Sequence, residues 1–176
     1  MAVLEIWRGD ITRCEVDAIV NAANRSLLGG GGVDGAIHRV AGPELKEECR
    51  GLGGCSPGDA KLTAAYGLPA KFVVHTVGPK WQGGAMREAF KLRMCYERSL
   101  QVAYQAGARS IAFPAISTGV HGYPHDKAAE IAVRSVMDWQ RAVEPQIGAP
   151  PFERVLLVSL DGQTEKHLRN AMRGIR

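Results

Sequence analysis

The chain has 176 residues, 45% of them apolar, and no Gly-, Ser- or Pro-rich tract long enough to divide it, so residues 1–176 are expected to form a single domain with a full core. Its 22 basic and 18 acidic residues give a net charge of +4, and Lys and Arg are spread over helix faces rather than gathered along a groove, which argues against a nucleic-acid partner. Four cysteines without a CxxC pair argue against a disulfide framework or zinc site, and residues 1–13 hold no apolar stretch of signal or membrane length; the expectation is a cytoplasmic monomer with reduced thiols and no membrane partner.

Residues 4–7 read as a short strand with Leu4 and Ile6 on one face, and Gly9-Asp10-Ile11-Thr12 as the turn leaving it. Asp10 either bonds local backbone N–H groups in an Asx-turn or offers an acidic acceptor at the strand end. A second strand at 17–20 delivers Asn21 and Asn24 to a loop that contains Gly29-Gly30-Gly31-Gly32. Four glycines suit a flexible connection, or a cradle whose N–H groups turn toward an anion; a position between a buried strand and a helix start favours the cradle. Val33-Asp34 then opens a helix with Ala36, Ile37, Val40 and Ala41 on its inner face, stopped by Gly42-Pro43 and followed by a helical piece at 44–50. Residues 55–59 are punctuation, 61–65 a strand, and 72–77 a β-branched, buried strand ended by Gly78-Pro79.

A long amphipathic helix is expected over 86–106, with Arg87, Lys91, Arg98, Gln101 and Gln105 opposite Leu92, Cys95, Tyr96 and Ala103. Beyond it come a strand at 110–113, a loop at 115–123, a helix at 124–141, a proline-rich surface connection at 144–152, a buried strand at 154–160 and a last helix at 164–173. This alternation predicts an α/β domain with a largely parallel or mixed sheet, helices on both faces, and ligands at the carboxyl ends of the strands. That rule selects the loops 9–12, 21–34 and 115–123. The third carries two hydroxyls and two glycines just before a helix, and two such cradles fit a diphosphate better than a monophosphate. Neither is a GK[ST] or GxGxxG loop, which disfavours nucleotide hydrolysis with magnesium, and no metal-ligand set is evident.

The ordered set Gly9-Asp10-Ile11-Thr12, Val20-Asn21-Ala22-Ala23-Asn24, Gly29 through His38, His75-Thr76-Val77-Gly78-Pro79 and Ile116-Ser117-Thr118-Gly119-Val120 resembles the macrodomains, specifically the MacroD-type ADP-ribosyl hydrolases, over residues 4–161. The resemblance implies a three-layer α/β/α macrodomain fold with a mixed, largely parallel six-stranded sheet. It also implies ADP-ribose as ligand, and hydrolysis of ADP-ribose esters without metal or cofactor: removal of mono-ADP-ribose from acidic side chains of proteins, and deacetylation of O-acetyl-ADP-ribose. By the same resemblance Asp10 accepts from the adenine amino group beside the Ile11 N–H. Gly31, Gly32, Val33, Ser117, Thr118, Gly119 and Val120 wrap the diphosphate, Asn24 holds the distal ribose hydroxyls, and Asp34 holds the attacking water. A carboxyl near a helix N-terminus is expected to be ionised and a weak base, so a substrate phosphate oxygen would help take the proton. His121 and Leu160 stand where relatives often carry aromatic residues, over the distal ribose and near the adenine. A non-catalytic reader of ADP-ribose or of ADP-ribosylated proteins is the alternative; it has no need of a water-orienting carboxylate. His38 and His75 lie in apolar-periodic elements and read as hydrogen-bonded structural histidines, and Trp7, Trp81 and Trp139 as core or rim residues.

Overall fold

The computed structural model describes residues 3–175. Six strands, β1 (Val3–Arg8), β2 (Ala18–Ala23), β3 (Ala60–Ala64), β4 (Phe72–Val77), β5 (Ser110–Phe113) and β6 (Arg154–Ser159), form one sheet in the order β1-β6-β5-β2-β4-β3. Every neighbouring pair is parallel except β3 on β4. The helices are α1 (Gly32–Ala41), α2 (Pro43–Arg50), α3 (Glu88–Gln105), α4 (His125–Ile147) and α5 (Gly162–Arg173), with a 3₁₀ turn at Ile11–Arg13. The expected mixed, largely parallel six-stranded sheet between helical layers is what the chain forms.

Side chains alternate across the sheet and so build two cores. Ile19, Val73, Ala112 and Leu156 meet Ile37, Ala41, Leu45 and Cys49 of α1 and α2 on one side. Val20, Val74, Ile111 and Leu157 meet Leu92, Tyr96 and Leu100 of α3, Val133 of α4 and Leu168 of α5 on the other. Strands covered on both faces bury consecutive positions, which is why β4 carries the β-branched residues Val73, Val74, Thr76 and Val77, all buried, on both of its faces. The four cysteines are free and buried, and burial pushes the thiols of Cys14, Cys49 and Cys95 up to about 11. Among the described residues no helix is long and apolar enough to cross a membrane.

Several elements differ from expectation. β2 continues past Val20 to Ala23, because Asn21 pairs with His75 in the parallel ladder and its side chain finds partners in the interior. The inner face of α1 is Asp34, Ile37 and Ala41, spaced i, i+3 and i+7, so Val40 lies off the stripe and is 43% exposed. Pro145 does not end α4, which runs on to Ile147 and is closed by Gly148 at φ +76 with its N–H on Glu144 O. A proline in the last turn forfeits one backbone bond, and here an aromatic group of Tyr104, Trp139 and Phe152 fastens this end of the helix to its neighbours. Phe152 is fully buried, so the 144–152 connection is not wholly on the surface. β6 stops at Ser159 and leaves Leu160 outside the sheet.

Candidate active site

Parallel strands deliver their carboxyl ends to one edge, and there the segments after β1, β2, β4, β5 and β6 enclose a cleft of about 660 Å³. That is the size of a pocket for a small organic ligand. Asp10, Ile11, Asn24, Gly31, Gly32, Val33, Asp34, Ser117, Thr118, Gly119, Val120, His121 and Leu160 all line it. Gly30 of the expected glycine cradle and Gly78 of the Gly78-Pro79 strand end line it as well, as do His125 and Ser159, which were not singled out from the sequence. Nothing in the sequence pattern around His125 or Ser159 distinguishes them.

At the β1 end, Asp10 caps the 3₁₀ turn: one oxygen accepts the Thr12 amide at 2.9 Å and the Thr12 hydroxyl at 2.7 Å. Those bonds, the hydroxyl first, hold its carboxyl below the usual carboxylate range. The local Asx-turn and the placement in the cleft are therefore both realised, because only Oδ1 is used locally.

After β2, Asn24 clamps its own loop. Its Oδ1 accepts from Ser26 Oγ at 2.7 Å and from the Leu27 amide at 3.1 Å, while Nδ2 donates to Gly29 O at 2.8 Å. The acceptor half of the amide is thus saturated, and one N–H remains for a ligand. Gly29 and Gly32 take φ +92 and +59, which lets the loop turn sharply into α1. Gly31 is the N-cap and provides no side-chain bond, so the first-turn N–H groups of α1 are left to the cleft.

Asp34 sits in that first turn, 4% exposed. Its Oδ1 accepts Asn21 Nδ2 at 2.9 Å, and His38 Nε2 stands 3.4 Å away, outside hydrogen-bond geometry. A Cβ placed on Gly30 would fall 3.2 Å from Asp34 Oδ2 and 3.4 Å from Asn24 Nδ2, so both side chains border the space in front of Gly30. Burial raises the Asp34 pKa, opposed by the Asn21 hydrogen bond and the His38 imidazole. This reverses the expectation of a readily ionised carboxylate, since desolvation outweighs the helix terminus once the side chain turns inward. His75 is fully buried and hydrogen-bonded as expected, its pKa lowered to about 3 by burial; His38 packs beside the carboxylate rather than in the core.

The loop after β5 is seated by Gly78, where a Cβ would collide with the side chains of Ser117 and Ile116. Ser117 adopts φ +67, a left-handed conformation unfavourable for a non-glycine residue, and its hydroxyl donates to Pro79 O at 2.8 Å. Thr118 Oγ1 turns back onto Ala115 O at 3.3 Å. Both hydroxyls are thus spent on backbone, and the loop offers N–H groups ahead of α4, which also begins without a side-chain cap. Trp81 braces it, donating its amide to His121 O at 2.8 Å and packing its ring 4.7 Å from Tyr123. Val120 and Leu160 hold apolar side chains out at the rim, 103% and 73% exposed. Among the described residues no group of three or more His, Cys, Asp and Glu could hold a metal ion.

Two uncapped helix starts facing one cleft, an acidic acceptor at one side and a buried carboxyl beside the glycine loop make the carboxyl edge of the sheet suited to a dianionic, nucleotide-like ligand. The macro domain family model matches residues 20–132. The O-acetyl-ADP-ribose deacetylase of Klebsiella pneumoniae is 56% identical over 164 residues, 91% of this chain and 90% of that protein. The ADP-ribose glycohydrolase MACROD1 of Bos taurus is 56% identical over 137 residues, which are 77% of this chain and 42% of that longer protein. Among solved structures, a mutant of the Oceanobacillus iheyensis macrodomain with ADPR matches with a TM-score of 0.90 at 35% identity, covering 99% of this chain and 94% of that one. The Trypanosoma brucei macrodomain in complex with ADP-ribose matches at 0.86 and 41% identity, over 96% and 68%. This chain belongs to the macro domain family.

Proposed function

We propose that the cleft binds ADP-ribose and that the protein hydrolyses its esters, releasing mono-ADP-ribose from acidic side chains of proteins and acetate from O-acetyl-ADP-ribose. The observation that carries the reading is Asp34: a buried carboxyl with one oxygen fixed by Asn21 and the other bordering the space that Asn24 also borders. In this reading Asp10 accepts from the adenine amine beside the Ile11 N–H. Uncapped amides at Gly32 and Val33, and those of 117–120, hold the two phosphoryl groups. Val120, Leu160 and the His121 ring cover apolar parts of the ligand. Asn24 contributes its remaining N–H to the distal ribose. Asp34 accepts a hydrogen bond from water, which attacks the ester; the water proton passes to the carboxylate or a substrate phosphate oxygen, and ADP-ribose and a carboxylic acid leave. A pKa raised by burial makes Asp34 a stronger base than an exposed carboxylate. The named relatives, and the similar structures solved with ADP-ribose, support the same assignment. Four buried free thiols suit a reducing compartment, the cytoplasm.

The test is incubation with a mono-ADP-ribosylated protein and with O-acetyl-ADP-ribose, following release of ADP-ribose. Wild type is expected to release it from both. Asp34→Ala is expected to lose a factor of about 10² to 10⁴ in single-turnover rate. Its ADP-ribose affinity should be equal or slightly higher, because a carboxylate beside a diphosphate repels it. Binding without release by wild type would make the protein a reader of ADP-ribose instead.

A further inference from the structure

A row of buried polar side chains leads from Asp34 into the sheet. Asn21 and His75 lie opposite each other in the β2–β4 register, and Asn21 Nδ2 is 2.9 Å from Asp34 Oδ1 and 3.2 Å from His75 Nδ1. The far ring nitrogen, Nε2, is 2.9 Å from Thr63 Oγ1 on β3 and 3.7 Å from Cys49 Sγ on α2. Asn21 and His75 are completely buried and Thr63 nearly so, so water does not compete for these contacts.

One placement of protons satisfies all of them. Thr63 Oγ1 also lies 3.0 Å from Ala64 O, which can only accept, so the hydroxyl hydrogen goes there and the oxygen accepts from His75 Nε2–H. The neutral ring then has a bare Nδ1, which accepts one amide hydrogen of Asn21 and leaves the other for Asp34 Oδ1. Asn21 Oδ1 has no partner among the described residues, so nothing on that side fixes the amide. Its orientation follows the His75 tautomer.

We propose that Thr63 and His75 are positioning residues for hydrolysis: the Thr63 hydroxyl selects the His75 tautomer, the tautomer selects which end of the Asn21 amide meets Asp34, and the amide N–H keeps Asp34 in its water-accepting form. The proposal rests on the reading of Asp34 as the water-holding carboxylate. With the proton on Nδ1 instead, Asn21 would turn its oxygen toward both the ring and Asp34. Two acceptors in a dry pocket are tolerated only when Asp34 carries a proton. The other groups around Asp34 do not replace the amide: His38 Nε2 on α1 lies outside hydrogen-bond geometry, and Cys49 on α2 is a neutral thiol.

Thr63→Val removes the hydroxyl at nearly constant volume, and Thr63→Ser restores it. Three readouts on the full chain decide: the ring-nitrogen NMR shifts of His75, the titration of the Asp34 carboxyl carbon, and the pH profile of single-turnover ADP-ribose release from a mono-ADP-ribosylated protein. Wild type and Thr63→Ser are expected to carry the proton on Nε2. In Thr63→Val the Nδ1–H form gains, because the Cys49 thiol can donate to a bare Nε2. Both the Asp34 titration and the acid limb of the profile then move up by roughly one to two pH units, with the alkaline plateau kept. Asn21→Ala is expected to raise the Asp34 titration in the same direction. A wild-type ring protonated on Nδ1 overturns the proposal, as does a Thr63→Val enzyme whose plateau falls while its acid limb stays in place. If wild type binds ADP-ribose but releases none, the hydrolase reading fails, and the His75 and Asp34 spectra still decide the relay.

Discussion

Burying the Asp34 carboxyl disfavours its charged form in the folded protein relative to the unfolded chain, so its place in the cleft carries a stability cost. The sign follows from linkage. Below the unfolded value of 3.8 both states are protonated and no cost exists; as pH rises through the raised folded value the cost develops in full. Asp34→Asn is therefore expected to raise the melting temperature at about pH 7, with the gain vanishing on acidification below the ordinary carboxylate range. A thermal scan at several pH values checks this; a gain that persists in acid would mean the cost is not electrostatic. Asp10 calls for a different substitution, because one of its oxygens caps the 3₁₀ turn while the residue also lines the cleft. Asp10→Asn keeps the cap and, in the proposed complex, presents an amide donor to the adenine amine. ADP-ribose affinity should fall by about 1 to 3 kcal/mol in calorimetry with the melting temperature unchanged. Residues in loops after strands were legible from sequence because turn chemistry and topology both point at them. The partners of Asp34 were not: Asn21, His75 and Thr63 are separated along the chain by 13, 54 and 12 positions in successive hydrogen bonds, and only the strand register brings them together.

The connection from β4 to α3 is built on one side chain. Glu88 collects the amides of Gln82, Gly84 and Met86 at 2.9, 2.9 and 2.5 Å. Burial works against its charge, but these backbone donors outweigh it and hold its pKa down to about 2. A lowered value contributes stability above the unfolded 4.5 and loses it as pH falls through about 2. Glu88→Gln should therefore speed amide exchange at 82–87 at neutral pH, and the wild-type segment should come to match it only in strong acid. Hydrogen exchange followed by mass spectrometry reads both; equal protection at neutral pH would show that the charge is not what orders the segment. Because the Trp81 amide holds His121 O, the loosening should extend to the 115–123 loop. At this scale the sequence was a good guide where a short buried-type run ends at a turn residue: 72–77, before Gly78-Pro79, and 110–113, before Pro114, match β4 and β5 end for end. It failed at Pro145, where a local rule about proline lost to an aromatic anchor assembled from α3, α4 and Phe152. It failed at Val40 because hydrophobicity was taken as burial, while the helical phase is set by Ile37 and Ala41.

Across the molecule, the sheet keeps two cores apart, and each supports a different part of the cleft. Ala23, Leu27 and Ile37 secure the loop and helix that carry Asn24 and Asp34. Ile116 and Tyr123 anchor the 115–123 loop in the core under α3, α4 and α5. Ile37→Ala and Ile116→Ala should each destabilise by about 2 to 5 kcal/mol, yet with different functional signatures. Ile37→Ala should lower single-turnover rate more than ADP-ribose affinity, and Ile116→Ala should lower affinity first; identical losses in both would mean the cleft responds as one body. The consequence reaches into descent. Where two layers bear two duties, neutral drift in one need not disturb the other, so a duplicated gene can shed hydrolysis by wearing down the Ile37 layer while its product still recognises the same nucleotide. Enzyme and sensor are then neighbouring points in sequence space, joined by ordinary core substitutions rather than by a change of fold.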